Sequence, residues 1–596
     1  MKKNISMNWN LSDIYKSIND KNILLDVKRL KNEALLFEKR FKGKISNGNL
    51  SETLFLKSIS QYESILMGAQ KPYLYFNLIF STDSNNAKVA SLMQQMEEHN
   101  VEITKHLLFF DLELSKIPDQ KIKKFIQSKK LSKYSHHIEH IYQNKKYNLS
   151  EAEEKIIQEM TTVGRSAFTR LFDQLETRKQ FEIKLSGKKQ NLNQTEILSL
   201  LYSPNRSIRK SASESLTKGL SDNLFYNTFI YNTLLNDSKI HDKLRKYEYP
   251  EQSRHIEEET DKKVVEMLTG LISKRYDIVS RFYSLKRKVL KLDKLYDYDR
   301  YAPLSEKSRK VSFTEAQNIV CESFAEFSET MAYQAKRFFD NNWIDAEVKD
   351  GKMGGGFCMY VSPDLHPYIL INYKESVKDV MTLAHEIGHG IHAILAKERG
   401  FLSFASSLAL AETASVFGEM LVFNKEMRNA KTDKEKFLLL SGKIEDIFAT
   451  VFRQNCMYKF EMAVHKKRRE SGELTENDFN NIWQEENKKM FGDSMTLTDN
   501  YKVWWSYIGH FIHSPFYVYT YSFGELLTLS LYSMYKKDGV VFEKKYIELL
   551  SKGGSESPEK LLKNIGIAIT KKEFWEDGIK IIDDMVSEAE RLYSAL

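Results

Sequence analysis

Two histidines four residues apart bracket a glutamate in Thr382-Leu383-Ala384-His385-Glu386-Ile387-Gly388-His389-Gly390-Ile391-His392. On a helix that spacing puts the His385 and His389 imidazoles on one face, about one turn apart. Two nitrogens so placed can reach a single Zn²⁺ at ~2.0–2.1 Å. Glu386 reaches the metal less easily but can reach a water bound to it. This is the division of labour of metal-assisted hydrolysis. The chain holds 14 histidines in 596 residues, and chance would produce such a motif only about 0.03 times. His392 shares the face of His385, but seven residues is ~10.5 Å along a helix axis, too far for one ion to bridge. No helix break lies between His389 and His392, so His392 is assigned to packing or support.

A third protein ligand must come from downstream. Glu398 lies nearly four turns from His385 and is out of reach. After Gly400, the stretch Ser406 to Glu419 reads as a second helix of small and apolar residues. Its only charges are Glu412 and Glu419, seven apart on one face. Buried carboxylates need partners, which a zinc site supplies. Spacing alone leaves both as candidate ligands.

These side chains need positioning elements. Ser376 and Asp379 form a capping-box pattern that predicts a helix from Val377 to Lys397, ending by Gly400. Ahead of it, Pro367-Tyr368-Ile369-Leu370-Ile371-Asn372-Tyr373 is the best strand candidate in the chain, and it follows the Gly-rich loop 351–356. Such a strand could hold a peptide backbone as an added strand. Residues 1–110 and 111–185 read as amphipathic helices, with a helix start at Ser150-Glu151-Ala152-Glu153. The polar stretch 186–194 reads as a hairpin or linker, and Ser203-Pro204-Asn205-Arg206 as a turn into a helix. The expected division is 1–110, 111–195 and a catalytic region 196–596.

Composition agrees with a mainly α protein. Only 25 Gly and 9 Pro occur, too few for an architecture of many short strands. The net charge of +8 is dispersed, and Lys466-Lys467-Arg468-Arg469 runs straight into Glu470, so no nucleic-acid partner is expected. Cys321, Cys358 and Cys456 are far apart and form no Cys-x-x-Cys pair, so neither a disulfide framework nor a thiolate zinc site is supported. The first residues carry charge but no apolar stretch, and no run of 18 apolar residues follows anywhere. The expectation is a cytoplasmic protein that spans no membrane. Phosphate loops of the Walker type and Gly-x-Ser-x-Gly are both absent.

Several stretches together resemble the thimet oligopeptidase family of zinc peptidases, in its bacterial oligoendopeptidase F branch. They are Ser203-Pro204-Asn205-Arg206 with Arg209, Tyr296-Asp297-Tyr298 with Ala302-Pro303-Leu304, the Gly-rich loop with 367–373, Thr382 to His389, Ala411-Glu412-Thr413-Ala414-Ser415, Phe452-Arg453-Gln454, and the Tyr-rich run near 517. The resemblance covers about 200–590 with specific motifs and the first 190 residues only in helical style. It implies a helical ellipsoid with a deep central channel and a small β-sheet beside the zinc-binding helix. It implies one Zn²⁺ held by His385, His389 and Glu412, with Glu419 orienting a histidine and Glu386 as general base. It implies a zinc-dependent endopeptidase that cuts internal bonds of short oligopeptides.

In the run Trp504 to Gly524 the resemblance implies that a histidine and one or two tyrosines face the metal. His513-Ser514-Pro515 departs from the family pattern, which leaves His510 and His513 as alternatives, with His510 preferred. Read as one helix, the run puts Tyr517 and Tyr521 on one face with His510 about two turns earlier, and Tyr519 opposite. The competing readings are a helical zinc carboxypeptidase and a non-catalytic helical scaffold. A zinc aminopeptidase would usually carry Gly-x-Met-Glu-Asn, which this chain lacks.

Overall fold

The computed structural model describes residues 6–47, 50–305 and 309–596. Residues 1–5, within the charged start of the chain, lie outside that description. The fold is mainly α, 71% helical with only small sheets. The expected hairpin is present: Phe181–Leu185 (β1) pairs antiparallel with Lys188–Leu192 (β2), and Ser186 and Gly187 turn the chain with positive φ. No helix among the described residues is long and apolar enough to cross a membrane.

The chain folds as two compact units, each drawn from separated stretches. The first combines Met1–Lys146, Arg309–Arg428 and Met534–Ala568. Its helices Lys21–Phe41 and Glu52–Thr82 start at Asp20 and Ser51, whose side chains accept from the first-turn amides. Phe37, Phe55, Tyr62, Phe110 and Phe125 pack between these helices, with the Phe55 and Phe125 rings stacked at 4.5 Å. A second cluster joins Tyr75, Phe76 and Met96 to Val361 and Tyr368. Trp9 adds its ring against Phe357 and Tyr368, at 6.4 and 6.2 Å. The first hundred residues therefore support the sheet beside the histidine helix.

That sheet has Ile344–Asp345 (β3), Phe357–Met359 (β4) and Tyr368–Leu370 (β5) in the order β3-β5-β4. β5 runs parallel to β3 and antiparallel to β4, with Cys358 opposite Ile369.

The second unit combines Tyr147–Ser308, Asn429–Ser533 and Ile569–Leu596. Ser150 and Glu153 form a capping box at the start of the Glu151–Val163 helix, and Asn205 caps the Arg206–Ser221 helix. Arg206 and Arg209 each lie 2.8 Å from the carboxylate of Asp299, which is fully buried. The Ser203–Arg209 and Tyr296–Leu304 stretches are thus joined by one buried, doubly paired carboxylate.

Candidate metal centre and active site

The Val377–Ala396 helix opens with the expected capping box: Ser376 Oγ accepts from the Asp379 amide, and Asp379 accepts from the Ser376 amide. It passes close to the Leu408–Asn429 helix because two glycines remove side chains at the crossing. A Cβ on Gly388 would lie 2.4 Å from the Ala414 carbonyl oxygen and 2.6 Å from Ser415 Cα. A Cβ on Gly418 would lie 2.9 Å from the Ala384 oxygen. Neither position has room for a methyl group. In sequence the only mark of either glycine is a small residue on each of the two facing helices.

This approach brings the expected donors together. His385 Nε2 and His389 Nε2 are 3.2 Å apart. Glu412 Oε2 lies 3.3 Å from the first and 3.5 Å from the second. Three vertices of a tetrahedron with ~2.0–2.1 Å bonds stand about 3.3 Å apart. Two imidazoles and one carboxylate at these separations fit a zinc ion. Among the described residues this is the one such cluster.

The surrounding groups hold the donors in place. Glu419 Oε1 lies 2.5 Å from His385 Nδ1, which turns Nε2 toward His389 and Glu412. Ser415 Oγ donates to Glu412 Oε2 at 2.7 Å, and Tyr360 Oη donates to the His389 carbonyl at 2.9 Å. Burial lowers the His385 pKa, but Glu419 and Glu412 outweigh it and raise it to about 9. Glu386 is 6% exposed; burial pushes its carboxyl up to about 7, against the pull of His385. Such a group can both accept and return a proton near neutrality. His392 is buried and makes no part of the donor cluster, and burial pushes its pKa down to about 4.

The sheet corrects one expectation. β5, read from 367–373 as a strand that could accept a peptide, is the central strand with β3 and β4 on its two sides. Its backbone groups are already used, so an added strand could join only at an outer strand, β3 or β4. The Gly-rich loop leads into β4, and a Cβ on Gly356 would lie 3.1 Å from Glu386 Oε1.

His510, Tyr517 and Tyr521 belong to the second unit. The run is not one helix, which corrects the assumed phase. Asp499–Tyr507 is 3-10, His510–His513 is a single turn, and a regular helix resumes only at Tyr519–Asp538. Pro515 cannot continue a helix, and Phe516 adopts φ +58°. The break nevertheless folds the three side chains together. His510 Nε2 is 3.3 Å from Tyr521 Oη, and the Tyr517 ring lies 6.0 Å from His510 and 5.1 Å from Tyr521. His513 turns elsewhere, 2.9 Å from Asp173. Tyr519 points away into the core, where its hydroxyl meets Thr260 at 2.9 Å.

Known proteins match the chain along most of its length. Oligopeptidase PepF of Bacillus subtilis is 27% identical over 592 residues, covering 98% of this chain and 87% of the relative. An oligoendopeptidase F homolog of Lactococcus lactis is 26% identical and covers 98% and 97%. Among solved structures, a chain from Chlamydophila abortus superposes with TM-score 0.85 at 21% identity, covering 99% of both chains. Oligoendopeptidase-F from Enterococcus faecium gives 0.75 at 20% identity, covering 97% and 99%. Residues 113–181 match the family description Oligopeptidase F, and residues 199–581 match Peptidase family M3. With the greater part of its length so matched, the chain belongs to peptidase family M3 and is a metalloendopeptidase.

Proposed function

We propose that this protein is a zinc-dependent endopeptidase that hydrolyses internal bonds of short oligopeptides. The observation that carries the reading is the convergence of His385, His389 and Glu412 with the buried Glu386 one residue from the first ligand. Bound by the three donors, Zn²⁺ would supply a Lewis acid that lowers the pKa of a water toward ~7. Glu386 takes the proton of the attacking water on its carboxylate and returns it to the leaving nitrogen of the scissile bond. Glu419 keeps the His385 ring in the tautomer that offers Nε2. The family resemblance supports Tyr517 and Tyr521, with His510 beside them, as donors to the oxyanion developing on the substrate carbonyl.

Of the two outer strands, β4 follows Gly356, which lies beside Glu386, and is the one offered to an extended peptide. The resemblance to the family supports a channel that admits short peptides and excludes folded proteins. Three free cysteines, none paired, support a reducing cytoplasmic setting. The test is a digest of a peptide library, including peptides blocked at both ends, with and without chelator and read by mass spectrometry. Internal cuts in blocked peptides that vanish with chelator are expected. Cleavage only at free termini would overturn the endopeptidase reading, and rapid cleavage of a stable folded protein at a buried site would overturn the channel.

A further inference from the structure

Tyr517 follows a strained turn, and the short helix Gln252–Glu257 of the same unit reaches that turn. Phe516 adopts φ +58°, a left-handed conformation that a bulky residue keeps only where its surroundings over-determine it. Arg254 Nε donates to the Pro515 carbonyl at 3.4 Å, and its guanidinium carbon lies over the Tyr517 ring, 5.6 Å from the centroid. The next residue, His255, meets the Tyr519 ring edge-on at 5.5 Å. The Phe452–Ser471 helix adds Glu461, which accepts from the Phe516 amide at 3.0 Å. Residues on both sides of the strained position are thus anchored from one short helix, and the strained amide from another.

Arg254 is itself pinned. Its side chain is 13% exposed, its Nη1 donates to Glu257 Oε2 at 2.8 Å, and the same nitrogen lies 3.6 Å from the buried Glu258. A guanidinium stays charged and presents its donors in a rigid planar fork. Held by two carboxylates, it keeps one cation at one place over the Tyr517 ring, whose negative face attracts it. His510 lies nearly parallel to that ring at 6.0 Å, and Tyr521 meets it edge-on at 5.1 Å. Turning the Tyr517 ring away from these neighbours breaks its contact with Arg254. We propose that Arg254 is a positioning residue for Tyr517, holding the phenol where its hydroxyl serves the oxyanion. Catalytic groups misplaced by about 1 Å can lose ~10²-fold in rate, so a residue that touches no reacting atom can still matter.

Arg254 acts in this way only if Tyr517 is the oxyanion donor proposed above, and a double-mutant cycle separates the two roles. Steady-state kcat and KM on one short peptide are measured for wild type, Arg254→Gln, Arg254→Lys, Tyr517→Phe and the Arg254→Gln/Tyr517→Phe double variant, with zinc content and Tm for each. Arg254→Gln keeps a donor for the Pro515 carbonyl but removes the cation. It should lower kcat by ~10–10²-fold, with KM within about twofold of wild type and zinc retained. Arg254→Lys restores the cation without the fork and should recover kcat by at least about threefold. In Tyr517→Phe the ring remains but the hydroxyl is gone, so adding Arg254→Gln should change kcat by less than about threefold. Three results would overturn the positioning role while leaving the oxyanion role standing: wild-type kcat in Arg254→Gln beside a crippled Tyr517→Phe, an Arg254→Lys variant no better than Arg254→Gln, or losses that multiply in full in the double variant. Wild-type kcat in Tyr517→Phe would overturn both roles. If Arg254→Gln does not fold, Arg254→Lys takes its place in the cycle, where a loss in the wild-type background that vanishes on Tyr517→Phe supports the proposal and a multiplying loss, or none, overturns it.

Discussion

The histidine helices and the aromatic run hold polar groups together by different means. His385, His389 and Glu412 stand on regular helices whose crossing is fixed by backbone contact at Gly388 and Gly418. His510, Tyr517 and Tyr521 stand on either side of a break. There the left-handed Phe516 is held by its N–H donating to Glu461 Oε1 at 3.0 Å, and Arg254 reaches the Pro515 carbonyl at 3.4 Å. Helical periodicity sets the first geometry, and tertiary contacts to one strained turn set the second. The first should tolerate changes outside the crossing, while the second should depend on partners distant in sequence.

The largest effect tests the chemistry of the first region. Glu386→Gln should keep its zinc while kcat falls by ~10²–10⁴, because the amide cannot take the proton. Wild-type turnover with metal bound would remove Glu386 from its role. In the second region, Tyr517→Phe or Tyr521→Phe should leave zinc and fold intact and lower kcat by ~10²–10³. Tyr519→Phe should be nearly silent in kcat and cost about 1 kcal/mol of stability through Thr260. Steady-state kinetics on one short peptide ranks the three. A crippled Tyr519 variant beside two normal ones would mean that the His510 cluster does not serve the reaction.

Smaller effects sharpen the contrast. Glu419→Ala should weaken zinc by ~10–100-fold by freeing the His385 ring, less than loss of a ligand does. Zinc titration measures it. The turn should carry a pH signature. Burial raises the Glu461 carboxyl from its ordinary 4.5 to about 8, with the Phe516 amide and Arg254 opposing. A raised carboxyl favours the native state fully below 4.5, and that contribution is lost as pH rises through 8. Glu461→Gln keeps an acceptor for Phe516 and should flatten the fall in Tm between pH 5 and 9. An unchanged slope would show that another group titrates.

The same contrast explains what sequence could and could not supply. The capped helix, its two histidines and Glu386 follow from a local period and a local cap, so they were readable directly. Choosing Glu412 over Glu419 needed the family resemblance, because both lie on one helical face and only the crossing separates them. The role of β5 is not legible locally because strand pairing is non-local: its run of β-branched and aromatic residues marks a strand but not its place in a sheet. The phase of the aromatic run is not legible locally despite Pro515, since the left-handed Phe516 is stabilised by Glu461, 55 residues away. His510, Tyr517 and Tyr521 still converge, but through that turn and not through a shared helical face. The packing of Trp9 on Phe357 and Tyr368 left no trace in either local pattern.

In the proposed mechanism His385, His389 and Glu412 together hold one catalytic zinc. Its most direct test is the metal content of the purified, dialysed chain by mass spectrometry, for wild type beside Glu412→Ala, with folding checked by circular dichroism. One zinc per wild-type chain and close to none in a folded Glu412→Ala variant are expected. An active wild type without zinc, or a Glu412→Ala variant that keeps a full equivalent as tightly as wild type, would contradict that mechanism.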